Sequence, residues 1–420
     1  MKKNIIVYVV TIILSLAYIF LLNNLFLNDL DLFQNKDVVK ARVLEIISSD
    51  VNEYHLGLND VHEEKTIYFE AKILSGNKKG EIVEAAQQIN DIYAGNHEEV
   101  KAKDKILLMG VDYFENADYL MTEFVRSDSI TIFCIIFMLF LLIFGHKKGI
   151  NTIISLVFTC LAIFLVFIPA VLSGHNIYLW SIITCLFIIV MTLLLINNLS
   201  KKTLCAMMSC IVGVTITAIL TVIMTKIMHL TGLVDEQSYY IQLMDTENPF
   251  DLKAIIFGGI IIGAVGAIMD VAVELSASLL EVYEKARDTD KTVKSLWSSG
   301  VNIGRDMMGT MSNTLVMAYI GNSLSTILLL LSYSDSLIEL FNREMIIVEL
   351  LQILVGSFGL LLTIPFTSLI CSIVYCKSKK DLLWAKSFFI KNKDLIKFIK
   401  SCACKHKNIT IAKITKKVYN

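Results

Sequence analysis

Apolar runs about as long as a membrane is thick recur along this chain. They constrain its fold more than any other feature. A spanning helix needs about 20 mostly apolar residues. The first run is Ile5 to Leu27, after Lys2 and Lys3. Seven more follow, at roughly 129–144, 150–172, 177–197, 204–229, 253–281, 307–332 and 346–375. The expected fold is an α-helical integral membrane protein with about eight transmembrane helices. The run at 129–144 is short, and the flanking Lys147 and Lys148 can snorkel. Composition agrees: the chain is 55% hydrophobic and 18% charged. A soluble domain is about 25% charged, so a soluble protein of this size is excluded. Ile5–Leu27 has the basic start and apolar body of a signal peptide. No small-x-small cleavage site follows at Asn23–Phe26, so it reads as an uncleaved anchor.

Lysines and arginines in short loops set the orientation. With the N-terminus inside, Lys147, Lys148, Lys201, Lys202, Lys285, Arg287, Lys291, Lys294 and the tail are cytoplasmic. The loop 231–252, with Asp235, Glu236, Asp245, Glu247 and Asp251, is then outside. Both termini are expected in the cytoplasm of a plasma-membrane protein, and residues 28–128 outside. All nine cysteines fall in spans or in the tail, so disulfides do not staple the exterior.

Residues 28–128 read as a small β-rich domain. Val38–Ile46 and Thr66–Leu74 have strand character. Ser75-Gly76-Asn77-Lys78-Lys79-Gly80 then turns the chain into Glu81–Ala85, which is a hairpin signal. Ile106–Met109 follows a polar turn. Several short strands without helical patterns predict an OB or lipoyl-like barrel, with 86–101 ambiguous. His55, His62, Glu63, Glu64 and His97 have no ligand-set spacing, and Cys402-x-Cys404-x-His406 is half a zinc site with no second pair. No metal and no cofactor are expected.

The run 253–281 carries the most chemistry. Gly259, Gly263, Gly266, Asp270, Glu274 and Glu281 fall on or near one helical face. Gly259-x-x-x-Gly263 permits close approach of another helix. The same face then presents two carboxylates one turn apart. An ionised carboxylate in hydrocarbon costs several kcal/mol unless paired or hydrated. Asp270 lies about 25 Å along the helix from Lys253, in the inner half of the membrane. The candidate role is ion or proton coupling; the plainer role is pairing with Arg or Lys at the inner interface.

Residues near 290–303, with Val293, Leu296, Trp297 and Gly300 at helical spacing, read as an interfacial elbow helix. Gly304, Arg305, Asp306, Gly309, Thr310 and Asn313 then enter the membrane from inside. Arg305 is the expected partner of Glu274 or Asp270. Asp306 also suits a helix N-terminus. Thr314, Ala318, Gly321 and Ser325 form a small-residue stripe suited to packing.

These two stretches carry a family resemblance. GAIMDVAVELSASLLEVYEK, from Gly266, and GVNIGRDMMGTMSNTLVMAYIGNSL, at 300–324, resemble the signature stretches of the YibE/F-like family of bacterial multi-pass membrane proteins. The resemblance extends from the first anchor, through ARVLEI at 41–46 and KAKDKILL at 101–108, to Tyr375. It implies an N-terminal anchor, an extracytoplasmic module and a permease-like bundle. It marks Asp270, Gly304, Arg305, Asp306, Gly309 and Asn313 as motif positions and brings no substrate with it. Glu274 stands where the family more often has a small or apolar residue.

Four regions result: an anchor at 1–27, a β-rich domain at 28–128, a seven-helix bundle at 129–375, and a tail at 376–420. The tail holds thirteen lysines against Asp381 and Asp394, interleaved with Leu382, Trp384, Phe388 and Phe389. That pattern suits a helix on anionic lipid rather than a nucleic-acid binder. The net charge of −1 therefore conceals a separation: 28–128 has 21 acids against 11 bases, while the tail is strongly basic. The expected function is a transporter or permease component with an ion-coupled site at Asp270 and Arg305. The alternative is a scaffold, or a sensor reading the exterior through 28–128. The glycine stripes permit a homodimer or a partner membrane subunit. No HExxH, Gly-x-Ser-x-Gly or P-loop is present, so an enzyme is not expected.

Overall fold

The computed structural model describes residues 2–27, 38–55, 61–90, 98–111, 117–243, 250–289, 291–333 and 336–376. Two compact units result, residues 31–149 and the rest of the chain. His97, the Cys402–His406 group and the whole basic tail lie outside the described residues.

The first unit is a closed barrel of five strands: β1 (Val38–His55), β2 (Val61–Ile73), β3 (Ile82–Asn90), β4 (Lys105–Gly110) and β5 (Tyr119–Phe124). The order around it is β1-β2-β3-β5-β4. β1 pairs antiparallel with both β2 and β4, and β3 runs parallel to β5. That is the Greek-key arrangement of an OB barrel, not a lipoyl-like one. Alternation builds its core: Ala41, Val43, Ile67, Phe69, Ala71, Ile73, Ile106 and Leu108 point inward. Gly76 (φ 82°) and Gly80 (φ 100°) hold the β2–β3 turn. β1 and β2 run well past the expected strand ends, to His55 and back to Val61. β3 extends into the ambiguous stretch because Gln87, buried in the wall, holds the loop after it. Its Oε1 accepts from Val100 N (2.9 Å), and its Nε2 donates to the Glu98 carbonyl (3.0 Å). β5 was not expected. Its six residues carry no turn-bounded alternation, and pairing with β3 and β4 makes it a strand.

After the barrel comes α2 (Ser127–Ala162), which continues through a π-helical turn (Ile163–Phe167) into α3 (Ile168–Leu172). The expected runs 129–144 and 150–172 both lie in this 46-residue stretch. A straight helix of that length would reach about 69 Å, more than twice the hydrocarbon thickness. It is not straight. His146 leaves helical conformation (φ 47°, ψ −124°). A Cβ on Gly149 would overlap the Leu141 carbonyl, a residue about 12 Å away along a continuous helix. The axis therefore bends sharply beside Lys147 and Lys148.

The second unit contains α1 (Lys2–Leu27), α4 (Ile177–Asn197), α5 (Lys201–Ile227), α6 (Glu236–Leu243), α7 (Leu252–Lys285), α8 (Val293–Asn322), α9 (Leu324–Tyr333), α10 (Leu337–Leu340) and α11 (Glu344–Cys376). Among the described residues six stretches are long and apolar enough to cross a membrane. A seventh arises if α8 and α9, bent by 58°, form one span. The elbow and the span after it are one continuous helix, α8, and the break comes later, at Ser323. α1 is seated in this unit: Tyr18 stacks on Phe187 with centroids 4.1 Å apart, and Phe26 meets Trp180 edge-on.

α5, α7 and α11 interlock through glycine and threonine. A Cβ on Gly213 would overlap Thr363, and one on Gly359 would overlap Thr217; both would also crowd Ile268 of α7. Each helix thus inserts a threonine into the other's glycine notch. The hydroxyls are satisfied at home, as Thr217 donates to Gly213 O (2.9 Å) and Thr363 to Gly359 O (2.7 Å). Ser209, Thr221, Thr367, Ser368 and Ser372 are also buried and bonded to the carbonyl four residues back. The pairing 213 with 363 and 217 with 359 makes α5 and α11 antiparallel. Gly300 against Ser368 and Gly304 against Ile364 make α8 and α11 antiparallel too. Both registers fit α8–α9 as a crossing. A re-entrant loop would return the chain to its entry side and set α11 parallel to α5.

Candidate functional site

α7 has two unlike faces. Ile260, Ile261, Ala264, Val265, Ile268, Val271, Ala272 and Leu275 are buried. Gly259, Gly263, Gly266, Asp270 and Glu274 are exposed, and they form one continuous stripe. The glycines are the helix-compatible way to leave that stripe shallow, and Asp270 and Glu274 stand at its end.

α8 is arranged alike. Only Val293, Leu296, Gly300 and Gly304 are buried, against α11 and the core. Arg305, Asp306, Gly309, Thr310 and Asn313 are exposed. The two helices meet at Gly263, where a Cβ would come within 2.6 Å of the Tyr319 hydroxyl and 3.6 Å of Gln352 Nε2. α7 and α8 run in opposite directions here. Moving from Gly263 to Asp270, about 10 Å along the axis, therefore corresponds to moving back from Tyr319 to Ser312 and Asn313. Glu274 falls level with Met308 by the same count, and level with Arg305 by the other contact of the two helices, Leu279 against Gly300.

The structure thus gathers Asp270, Glu274, Gly309 and Asn313 at neighbouring levels of two adjacent helices. It does not pair the charges. Among the described residues no ion pair or hydrogen bond joins Arg305 to Asp270 or Glu274. The candidate packing glycines divide. Gly304 lies tightly against Ile364 and Gly263 against Tyr319, whereas a Cβ on Gly259, Gly266, Gly309 or Gly321 would meet open space. Ser312 Oγ, at the level of Asp270, is buried without a hydrogen-bond partner among the described residues.

Ser312 belongs to the polar start of α8 that the sequence marks, whereas Tyr319 and Gln352 are not marked there. Gln352 was findable as a lone amide within the apolar run 346–375. Tyr319 sits among small and apolar neighbours and gives no such signal.

A closed five-stranded barrel and a helical bundle with six or seven candidate spans, carried on one chain, define a multi-pass integral membrane protein. The chain belongs to the YibE/F-like family: the model of the YibE/F-like protein matches residues 133–377, more than half of its length. The match begins inside α2, so it covers the bundle and neither α1 nor the barrel, a narrower range than the resemblance implied. No curated protein and no solved structure matches the chain.

Proposed function

We propose that the protein is a permease component of a bacterial plasma membrane, with both termini cytoplasmic and the barrel outside, that couples solute movement to an ion or proton at Asp270. One observation carries this reading: the Gly259–Gly263–Gly266–Asp270–Glu274 stripe faces away from the packed core, beside the polar start of α8. Carboxylates at depth in a membrane protein line water, carry a proton or meet a counter-charge. Asp270 and Glu274 make no ion pair among the described residues, as a site that exchanges a cation requires. Arg305 stands about one to two turns from the level of Asp270, paired with neither acid. Asn313 both donates and accepts and suits a polar solute. The reading carries no enzymatic step.

A hydrophobic carbodiimide tests it without knowledge of the solute, because it reacts with a protonated carboxyl in an apolar setting. Labelling of the purified protein is expected at Asp270 by peptide mass spectrometry and should fall as pH rises. Asp270→Asn should lose that label. In energised inside-out vesicles, Asp270→Asn should also lose any solute-driven collapse of the pH gradient, and Asp270→Glu should keep it. An Asp270 that stays unlabelled at every pH sinks the coupling role.

The scaffold or sensor reading draws on a different observation, the separate compactness of residues 31–149 with its closed sheet. Deleting 32–124 distinguishes the two. A permease bundle is expected to remain folded and to keep the Asp270 label. Loss of both would favour the scaffold.

A further inference from the structure

We propose that a cavity framed by the start of α4, the end of α5 and the start of α7 binds a phosphate-bearing anion. The cavity has a volume of about 350 Å³, and Lys226, Lys253, His229, Tyr178, Thr225 and Phe257 line it. That size is at the lower end for small-molecule sites and suits a phosphate group with a small substituent. The proposal does not depend on ion coupling at Asp270.

The two lysines carry the argument. Lys226, in the last turn of α5, is where the helix dipole favours a cation. Lys253 is in the first turn of α7, where the dipole disfavours one. Local helix electrostatics therefore does not account for it. Neither lysine makes an ion pair among the described residues, although the surrounding loop is acidic. Two acids of the flanking segments make hydrogen bonds of their own. Asp251 caps α7, its Oδ1 accepting from Lys253 N (3.1 Å) and Ala254 N (3.2 Å). Glu344 accepts from Thr231 N (2.7 Å), Thr231 Oγ1 (2.8 Å) and Gly232 N (2.6 Å).

Those last bonds also hold the cavity wall in place. They tie the turn after α5 to the start of α11. Gly232 has φ 99°, and a Cβ there would come within 2.5 Å of Leu252 Cβ. The turn therefore lies directly on the start of α7 and brings Lys226 and Lys253 into one cavity. Two ammonium groups offer six donors and two positive charges. A phosphate monoester presents about −1.5 to −2 charge and three acceptor oxygens. A carboxylate matches less of this. The Thr225 and Tyr178 hydroxyls supply neutral donors, and Phe257 offers an apolar wall to a substituent.

Phosphate can arrive as a soluble ester or as a lipid headgroup, and the two arms of one experiment separate these sources. The full chain in phosphatidylcholine nanodiscs is titrated calorimetrically with inorganic phosphate and with glycerol 3-phosphate. In parallel, protein from vesicles of phosphatidylcholine and phosphatidylglycerol is examined by native mass spectrometry for retained phosphatidylglycerol. K226Q and K253Q should each weaken binding about tenfold, the loss of one charge-assisted contact. The double variant should abolish it. K253R should retain it, and K201Q, at the far end of α5, should change nothing. Heat on titration identifies a soluble ester; retained phosphatidylglycerol without heat identifies the headgroup. Absence of both in the wild type overturns the proposal. So does undiminished binding in K226Q and K253Q that unfold at the wild-type temperature.

Discussion

Phe69→Ala is expected to destabilise the barrel strongly while the helical bundle keeps its stability. Phe69 is fully buried at the centre of the barrel core, on β2, opposite Ile46 of β1 and Ala85 of β3. Truncating a buried phenylalanine costs about 3–5 kcal/mol, because the transfer term and the residual cavity add. Small domains are stable by only about 5–15 kcal/mol. The barrel transition should therefore fall by about 12 °C or more. Hydrogen exchange on the full chain reads the result: amides of β1 to β5 should lose protection, and those of α5, α7 and α11 should keep it. Equal loss in both units would show that they unfold as one.

Gly359→Ala should destabilise the bundle by about 1–3 kcal/mol, the usual cost of forcing extra volume into a packed core. Its new methyl would overlap Thr217 and crowd Ile268. Neither can retreat easily, since Thr217 is fully buried and Ile268 also lies against the notch at Gly213. Thr217→Ala removes the obstructing hydroxyl. The double variant should recover most of the loss, with a coupling of about 0.5–3 kcal/mol in a double-mutant cycle. Thermal unfolding of the detergent-purified protein gives the four values. Simple additivity would mean that α5 and α11 do not interlock here.

The same contrast shows how far the residues alone reach. The hairpin at Ser75–Gly80 was legible because turn chemistry is local. β5 was not, because Tyr119–Phe124 becomes a strand only by lying between β3 and β4. The bend at His146 was legible only as a gap between two apolar runs flanked by lysines. In the candidate site, Asp270, Glu274, Arg305 and Asn313 stood out, since charged and amide groups are rare within apolar runs. Their pairing could not be read. The expected contact between Arg305 and the acids is absent among the described residues, while Gly263 meets Tyr319 and Gln352, which had drawn no attention.

The sequence by itself determined that this chain enters a membrane, roughly where it crosses, and that a β-rich segment follows the first helix. Those are additive, local properties: apolar length, charge in loops, turn residues. Only the tertiary structure decided which polar groups lie inside. Threonines of α5 and α11, unremarkable in sequence, occupy each other's glycine notches in the core, while the glycine–carboxylate stripe of α7 faces outward. The physical reason is that a spanning helix is apolar on every side. Its hydrophobic pattern therefore does not say which face meets a neighbour. That choice falls to steric fit between side chains more than a hundred residues apart.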